Sequence, residues 1–233
     1  MKSFLSEISS DFISLIYPHF CEGCLGPLVK GEDILCTDCL SDLPRTNMHL
    51  DINNPLALKF RGRIPMLGAA AFLRFRKRGK VQRMLHSLKY KNRPEIGFKL
   101  GFVYGSELSD VQFVNTYDMI LAVPLHPSRL RTRGYNQSDE WARGLSATTG
   151  IPFCAGALKR VRNTRTQTTR TKLSRWENVK EVFEVADPEK VFGKSVLLVD
   201  DVVTTGATLE SCGRSLLDAG CSGVGVVCIA MAQ

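Results

Sequence analysis

Asp200 and Asp201 stand side by side directly after an apolar run of Val196, Leu197, Leu198 and Val199, and Val202, Val203, Thr204, Thr205, Gly206, Ala207 and Thr208 follow them. A buried strand ending in such a turn delivers these groups to the carboxyl edge of a sheet, where open α/β folds bind ligands. Thr and Gly at the start of a helix offer hydroxyls, backbone N–H groups and the positive end of the helix dipole to a phosphate. Gly206 lets the main chain come close. Two carboxylates would repel that phosphate; they suit instead a vicinal diol or a divalent metal. Diol plus phosphate is the outline of a ribose 5-phosphate. The competing reading is a turn whose Asp and Thr merely cap the next helix, and the order of residues after an apolar run favours the ligand site.

A second apolar run, Met119 to Val123, ends at Pro124 and is followed by Leu125, His126, Arg129, Arg131 and Arg133. Arg forks match phosphate oxygens, so this turn is a candidate anion site. His126 is either a proton donor or phosphate contact, or simply a polar loop residue. Residues 159–180 carry eight Lys or Arg against the single Glu177, with Thr164, Thr166, Gln167, Thr168, Thr169 and Thr171 among them. A solvated loop is the plain reading, but a loop of this length inside a compact domain is often an active-site lid.

Near the start, Cys21 and Cys24 form one CxxC knuckle and Cys36 and Cys39 another. Paired knuckles point four thiolates inward and complete a closed tetrahedral Zn²⁺ site, which is structural because no coordination position stays open. The rival is a redox pair, for which a single CxxC would suffice. Cys154, Cys212, Cys221 and Cys228 sit among apolar positions and read as small core residues.

These groups need a scaffold. Residues 67–75 read as a strand, Val81, Met84, Leu85 and Leu88 as one face of a helix, residues 137–149 as a helix closed by Gly150, residues 195–199 as a buried strand, residues 207–219 as a helix ended by Gly220, and residues 224–230 as a last strand. Alternating strands and helices predict an α/β fold, a parallel sheet with helices on both faces. The polar stretch 41–55 separates the knuckles from it, giving an N-terminal helix and four-cysteine segment over residues 1–55 and a sheet domain over 56–233. Phe4, Leu5, Ile8, Phe12, Leu15 and Ile16 repeat at helical spacing, but Glu7 and Asp11 interrupt them. This is neither a signal peptide nor a membrane span, so a docked amphipathic helix and a cytoplasmic location are expected. The net charge of +8 is concentrated: residues 59–93 hold twelve Lys or Arg and no acid. Such runs are either solvated faces or polyanion-binding surfaces.

The acid-pair motif resembles the signature of the type I phosphoribosyltransferases. With residues 123–137, residues 160–179, Leu88-Lys89-Tyr90 and the front cysteines, nearly the whole chain resembles the ComF family of competence-related proteins. The resemblance implies a type I phosphoribosyltransferase-like sheet behind a small zinc-ribbon-like segment. It also implies phosphoribosyl pyrophosphate as ligand, Mg²⁺ bridging its ribose hydroxyls and pyrophosphate, and Asp200 and Asp201 as the catalytic acids. Residues 202–208 would then hold the 5-phosphate, while Leu125, His126, Arg129 and Arg133 meet the pyrophosphate and Arg165 closes over it from the loop. Thr204 stands where the hypoxanthine–guanine branch has an acid, which argues against 6-oxopurine salvage. The family is also similar to the phosphoribosyltransferase half of glutamine amidophosphoribosyltransferase. Without an N-terminal cysteine or a glutaminase domain, the chain is not expected to be that whole enzyme. Two functions remain open: a Mg²⁺-dependent transferase with an unknown acceptor, linked to DNA uptake, or a non-catalytic protein that binds single-stranded DNA or uptake proteins and keeps the ligand site as a sensor.

Overall fold

The computed structural model describes residues 19–111, 113–161 and 182–232. The proposed helix over the first residues, the threonine-rich loop and Arg165 lie outside them. A four-stranded parallel sheet forms the centre, in the order β1 (Gly68–Phe75), β6 (Gly223–Ala232), β5 (Ser195–Val203), β2 (Met119–Ala122). Around it lie α1 (Thr37–Ser41), α2 (Pro55–Phe60), α3 (Lys80–Tyr90), α4 (Glu95–Ser109), α5 (Pro127–Arg133), α6 (Gln137–Thr149), α7 (Pro188–Val191) and α8 (Ala207–Asp218). A separate antiparallel hairpin pairs β3 (Leu158–Val161) with β4 (Val182–Val185).

Period-two alternation sorts the strand residues onto two faces. Ala70, Phe72, Ile120, Leu197, Val199, Val227 and Ile229 pack with α3, α4 and α6. Ala69, Ala71, Met119, Leu121, Val196, Leu198, Val224 and Val226 pack with α2, α8 and the hairpin residue Phe183. Both faces are therefore covered, which explains why these strands read as continuous apolar runs. The predicted face of Val81, Met84, Leu85 and Leu88 is buried on α3, and α6 has the predicted bounds, with Gly150 in the left-handed conformation after it.

The knuckles have no independent core. Cys21, Leu35, Cys39 and Leu43 join the cluster under α3 and α4, and ion pairs Lys99–Asp33 at 2.9 Å, Arg45–Glu107 at 2.7 Å and Lys80–Asp42 at 2.6 Å surround them. Residues 44–46 then run antiparallel along the free edge of β1: Arg74 N–H donates to Pro44 O at 2.8 Å and Thr46 N–H to Phe72 O at 2.9 Å. That pairing covers an otherwise open sheet edge.

Helix α4 was not read from the sequence, because Gly97, Gly101 and Gly105 weaken its helix signal. In the fold they are its contact face. A Cβ on Gly101 would stand 2.4 Å from Trp141 O, and one on Gly144 of α6 would stand 2.2 Å from Phe98 O. The two helices touch backbone to backbone, and this seats the N-terminus of α6 at the sheet. Gly101→Val must push them apart at a cost of about 3 kcal/mol, which lowers the melting temperature by about 6–12 °C. A variant that melts with the wild type by circular dichroism would contradict the close approach.

Candidate functional site

β5 runs four residues past the predicted end at Val199, so the acids are the last turn of the central strand rather than a loop. They open into a cleft of about 260 Å³ whose walls include Leu125, Arg129, Arg133, Asp200, Asp201 and Thr208 from the sequence reading. Lys89, Asn136, Gln137, Ser138 and Arg160 share those walls.

Each acid is held by a different neighbour. Lys89 Nζ lies 2.8 Å from Asp201 Oδ2, and Gln137 Nε2 donates to the same oxygen at 2.6 Å. Ser138 Oγ donates to Asp200 Oδ1 at 3.1 Å, and the Asp201 N–H donates to it at 2.8 Å. Burial, and then the charge of Asp201, push the Asp200 carboxyl up to about 7, against these hydrogen bonds and Lys89. One cation does not neutralise two acids here. In the same cleft burial, then the like charge of Arg129, pull the Arg160 guanidinium below its ordinary range, with Asp200 acting the other way. The cleft thus holds an under-compensated acid pair together with crowded cations, groups that a ligand with hydroxyls and phosphates complements.

The loop after the acids is gripped from the α2 side. Gly206 is left-handed at φ 79° and caps α8, where any Cβ would meet the Phe60 ring at 2.9 Å. Lys59 Nζ donates to Thr204 O at 2.7 Å and Arg63 Nη1 to Thr205 O at 3.0 Å. With its carbonyls tied back to two cations, the turn is fixed before any ligand arrives. Thr204, Thr205 and Ala207 are exposed, Val202 is half-buried, and Val203 points into the core, so only its main chain is available to a ligand.

His126 is the N-cap of α5: its Nδ1 accepts from Ser128 N–H at 3.2 Å and lies 2.7 Å from Ser128 Oγ. It does not line the cleft. Arg131 is exposed. Sequence reasoning missed the roles of Lys89, Gln137 and Ser138. Their signal was a lysine directly after the last residue of an apolar helix face, and an Asn-Gln-Ser start to a helix whose Asn136 Oδ1 accepts from Ser138 N–H at 3.2 Å.

In the N-terminal segment the sulfur atoms of Cys21, Cys24, Cys36 and Cys39 all lie within 4.8 Å of one another. Main-chain N–H groups point at them: Gly23 and Cys36 at Cys21 Sγ, both at 3.3 Å, and Gly26 at Cys24 Sγ at 3.3 Å. Burial raises the Cys21 thiol, but the amides of Cys36, Cys24 and Gly23 outweigh it and bring it down to about 7. Burial, then the sulfurs of Cys36, Cys21 and Cys24, push Cys39 up. Four such thiols cannot all ionise without a cation among them, and the cluster is the size of a metal site.

Comparison with known proteins fits this arrangement. Residues 131–232 match the phosphoribosyl transferase domain. The DNA utilization protein YhgH of Escherichia coli K12 is 34% identical over 149 residues, covering 63% of this chain and 65% of that protein. Competence protein F of Haemophilus influenzae is 39% identical over 100 residues, 42% of this chain and 44% of that one. With the cysteine cluster ahead of the matched region, these similarities support a ComF-type phosphoribosyltransferase-domain protein. Its parallel sheet covered by helices, with the four-cysteine segment in front, is the fold expected from the sequence. It spans just under two thirds of the length of the first relative and less than half of the second. Among solved structures, the glutamine phosphoribosylpyrophosphate amidotransferase from B. subtilis aligns at 24% identity and a TM-score of 0.41, covering 62% of this chain and 30% of that one. Among the described residues, no helix is long and apolar enough to cross a membrane.

Proposed function

We propose that the cleft binds phosphoribosyl pyrophosphate together with Mg²⁺. The observation that carries this is the acid pair at the end of the central strand, joined through four residues to a left-handed glycine that caps α8. Asp200 and Asp201 accept hydrogen bonds from the ribose hydroxyls. The 5-phosphate lies on residues 204–208, where Thr205 and Thr208 supply hydroxyls and the α8 N-terminus supplies amides. The pyrophosphate faces Arg129, Arg133 and Arg160. The under-neutralised pair of carboxylates fits a dication, and Asp200 and Asp201 are the residues that would hold it. Bound there, Mg²⁺ supplies positive charge against the pyrophosphate leaving group. The arginines add fixed charge where that group departs, Gln137 and Lys89 fix the Asp201 carboxylate, and Ser138 fixes Asp200. Calorimetric titration with phosphoribosyl pyrophosphate, with Mg²⁺ and then with chelator, tests the assignment; no heat of binding in either condition overturns it.

For the cysteine cluster we infer structural Zn²⁺. Tetrahedral Zn²⁺ with Zn–S of about 2.3 Å needs sulfur atoms about 3.8 Å apart, and Cys24 Sγ and Cys36 Sγ are 3.8 Å apart. Reduced thiols of this kind belong in the cytoplasm.

A second reading, DNA binding in competence, is favoured by the printed names of the relatives and by the exposed cluster Arg76, Lys77 and Arg78 at the end of β1. Single-stranded DNA is expected to bind with an affinity that drops steeply with salt and is almost indifferent to sequence. Reversing those three residues to Glu is expected to weaken binding at low salt about tenfold or more and to flatten the salt slope by up to three phosphate contacts. Gel-shift measurements across a salt series check this, and binding that ignores ionic strength removes the reading.

A further inference from the structure

A second cavity, of about 490 Å³, lies between the C-terminal end of α3 and helix α5. Lys89, Tyr90, Arg129 and Arg133 line both this cavity and the ribose cleft, while Thr132 faces this cavity alone. Among the described residues, three cations contribute to its lining and no acid does. Two of them are engaged: Lys89 pairs with Asp201, and Arg133 donates to Gln137 Oε1. Arg129 is exposed and pairs with no acid among the described residues.

Tyr90 is the unusual wall. Its side chain ends an amphipathic helix yet is 70% exposed. The Arg133 guanidinium lies 5.8 Å from its ring centre, and the His86 ring lies 5.0 Å away at a 48° tilt. An aromatic ring braced by a cation and an imidazole, with an uncompensated arginine alongside, combines a stacking platform with an anion site. The volume falls within the roughly 300–1,000 Å³ of small-molecule pockets.

We infer that this cavity is a binding site for a planar aromatic ring that carries an anionic group, with the ring on Tyr90 and the anion on Arg129. Recognition here uses neither the acid pair nor residues 204–208, but it draws on Arg129, which the proposed function also gives to the pyrophosphate. Four lining residues are common to both sites, so a ligand in one lies beside a ligand in the other and competes with a pyrophosphate for Arg129.

The probe is 1-naphthyl phosphate, titrated calorimetrically against inorganic phosphate, which lacks the ring, and 1-naphthol, which lacks the charge. The full chain is expected to bind 1-naphthyl phosphate at least about tenfold more tightly than either, since base–aromatic stacking of this kind is worth about 1–3 kcal/mol. Tyr90→Ala should erase the advantage over inorganic phosphate. Thr132→Glu sets a carboxylate one helical turn from Arg129 and should weaken 1-naphthyl phosphate about tenfold, while ribose 5-phosphate binding stays within twofold. The Asp200→Asn, Asp201→Asn variant should bind 1-naphthyl phosphate at least as tightly as the wild type does, because Lys89 on the cavity wall loses its partner. Equal affinities for 1-naphthyl phosphate and phosphate, an indifferent Tyr90→Ala variant, or loss of the probe in the double Asn variant would each overturn the site. Failure of ribose 5-phosphate to bind the wild type would instead strike the ribose assignment alone.

Discussion

Asp200→Asn is expected to make the protein more stable at pH 8, and with Asp201→Asn to cut its affinity for phosphoribosyl pyrophosphate and Mg²⁺ at least about tenfold, since hydrogen bonds to charged groups are worth about 1.5–3 kcal/mol each. The two effects have one cause. The Asp200 carboxyl, ordinarily near 3.8, is raised to about 7 by burial and by Asp201. Below pH 3.8 it is neutral folded and unfolded, and costs nothing. Between there and about 7 the folded chain keeps a proton that the unfolded chain releases, so stability falls as pH rises, and above 7 the whole cost remains. Asn keeps the acceptor that Ser138 Oγ and the Asp201 amide use, while removing the charge. Relief of even about 1 kcal/mol raises the melting temperature at pH 8 by about 2–4 °C, and the gain should shrink toward pH 4. Melting curves at pH 4, 6 and 8, beside calorimetry, read both effects. A single variant no more stable than wild type at pH 8, or a double variant that binds equally well, would sink the assignment of these acids as strained ligand groups.

Removal of metal from the cysteine cluster is expected to have the largest effect on the fold. Structural Zn²⁺ in small peptides contributes about 10–16 kcal/mol of apparent folding free energy, and the segment from Cys21 to Leu43 buries too few side chains to persist alone. Metal analysis should find about one Zn²⁺ per chain. Chelation or Cys36→Ser should release the amides of residues 21–43 to hydrogen exchange. The loss should reach α3 and α4, because Leu35, Cys39 and Leu43 pack under them and Lys80, Lys99 and Glu107 lose their partners. The amides of β5 and β6, buried at the centre of the sheet, should stay protected. Purified protein without metal whose residues 21–43 remain protected would refute the zinc assignment.

How much of this was legible in sequence follows from which interactions are local. The apolar runs of β2, β5 and β6, the buried face of α3, the span of α6 and the CxxC pairs are patterns of period two, period 3.6 or fixed spacing, so each announces itself within a dozen residues. The acid pair and its Thr/Gly turn were legible for the same reason. Helix α4 was hidden because its glycines lower helix propensity, and only the approach of α6, some forty residues later, turns them into a contact face. Helix α5 was hidden because a seven-residue helix capped by His126 and closed by Gly134 looks like a loop.

The site divides the same way. Residue type and order named Asp200, Asp201, residues 202–208 and the arginines after Pro124 as candidates, and the family resemblance added Leu125 and Arg165. Tertiary structure alone decided that Lys89 and Gln137 hold Asp201, that Lys59 and Arg63 tie back the loop carbonyls, and that Val203 turns into the core. It also gave His126 a cap to make and brought Tyr90 beside Arg129 and Arg133. These partners lie from two to 145 residues apart in the chain. Sequence determines which chemistry a strand end and a turn carry, because backbone geometry and side-chain type act over a few residues. Which charges neutralise, brace or leave exposed that chemistry is set by the packing of helices onto the sheet, and no local pattern encodes it.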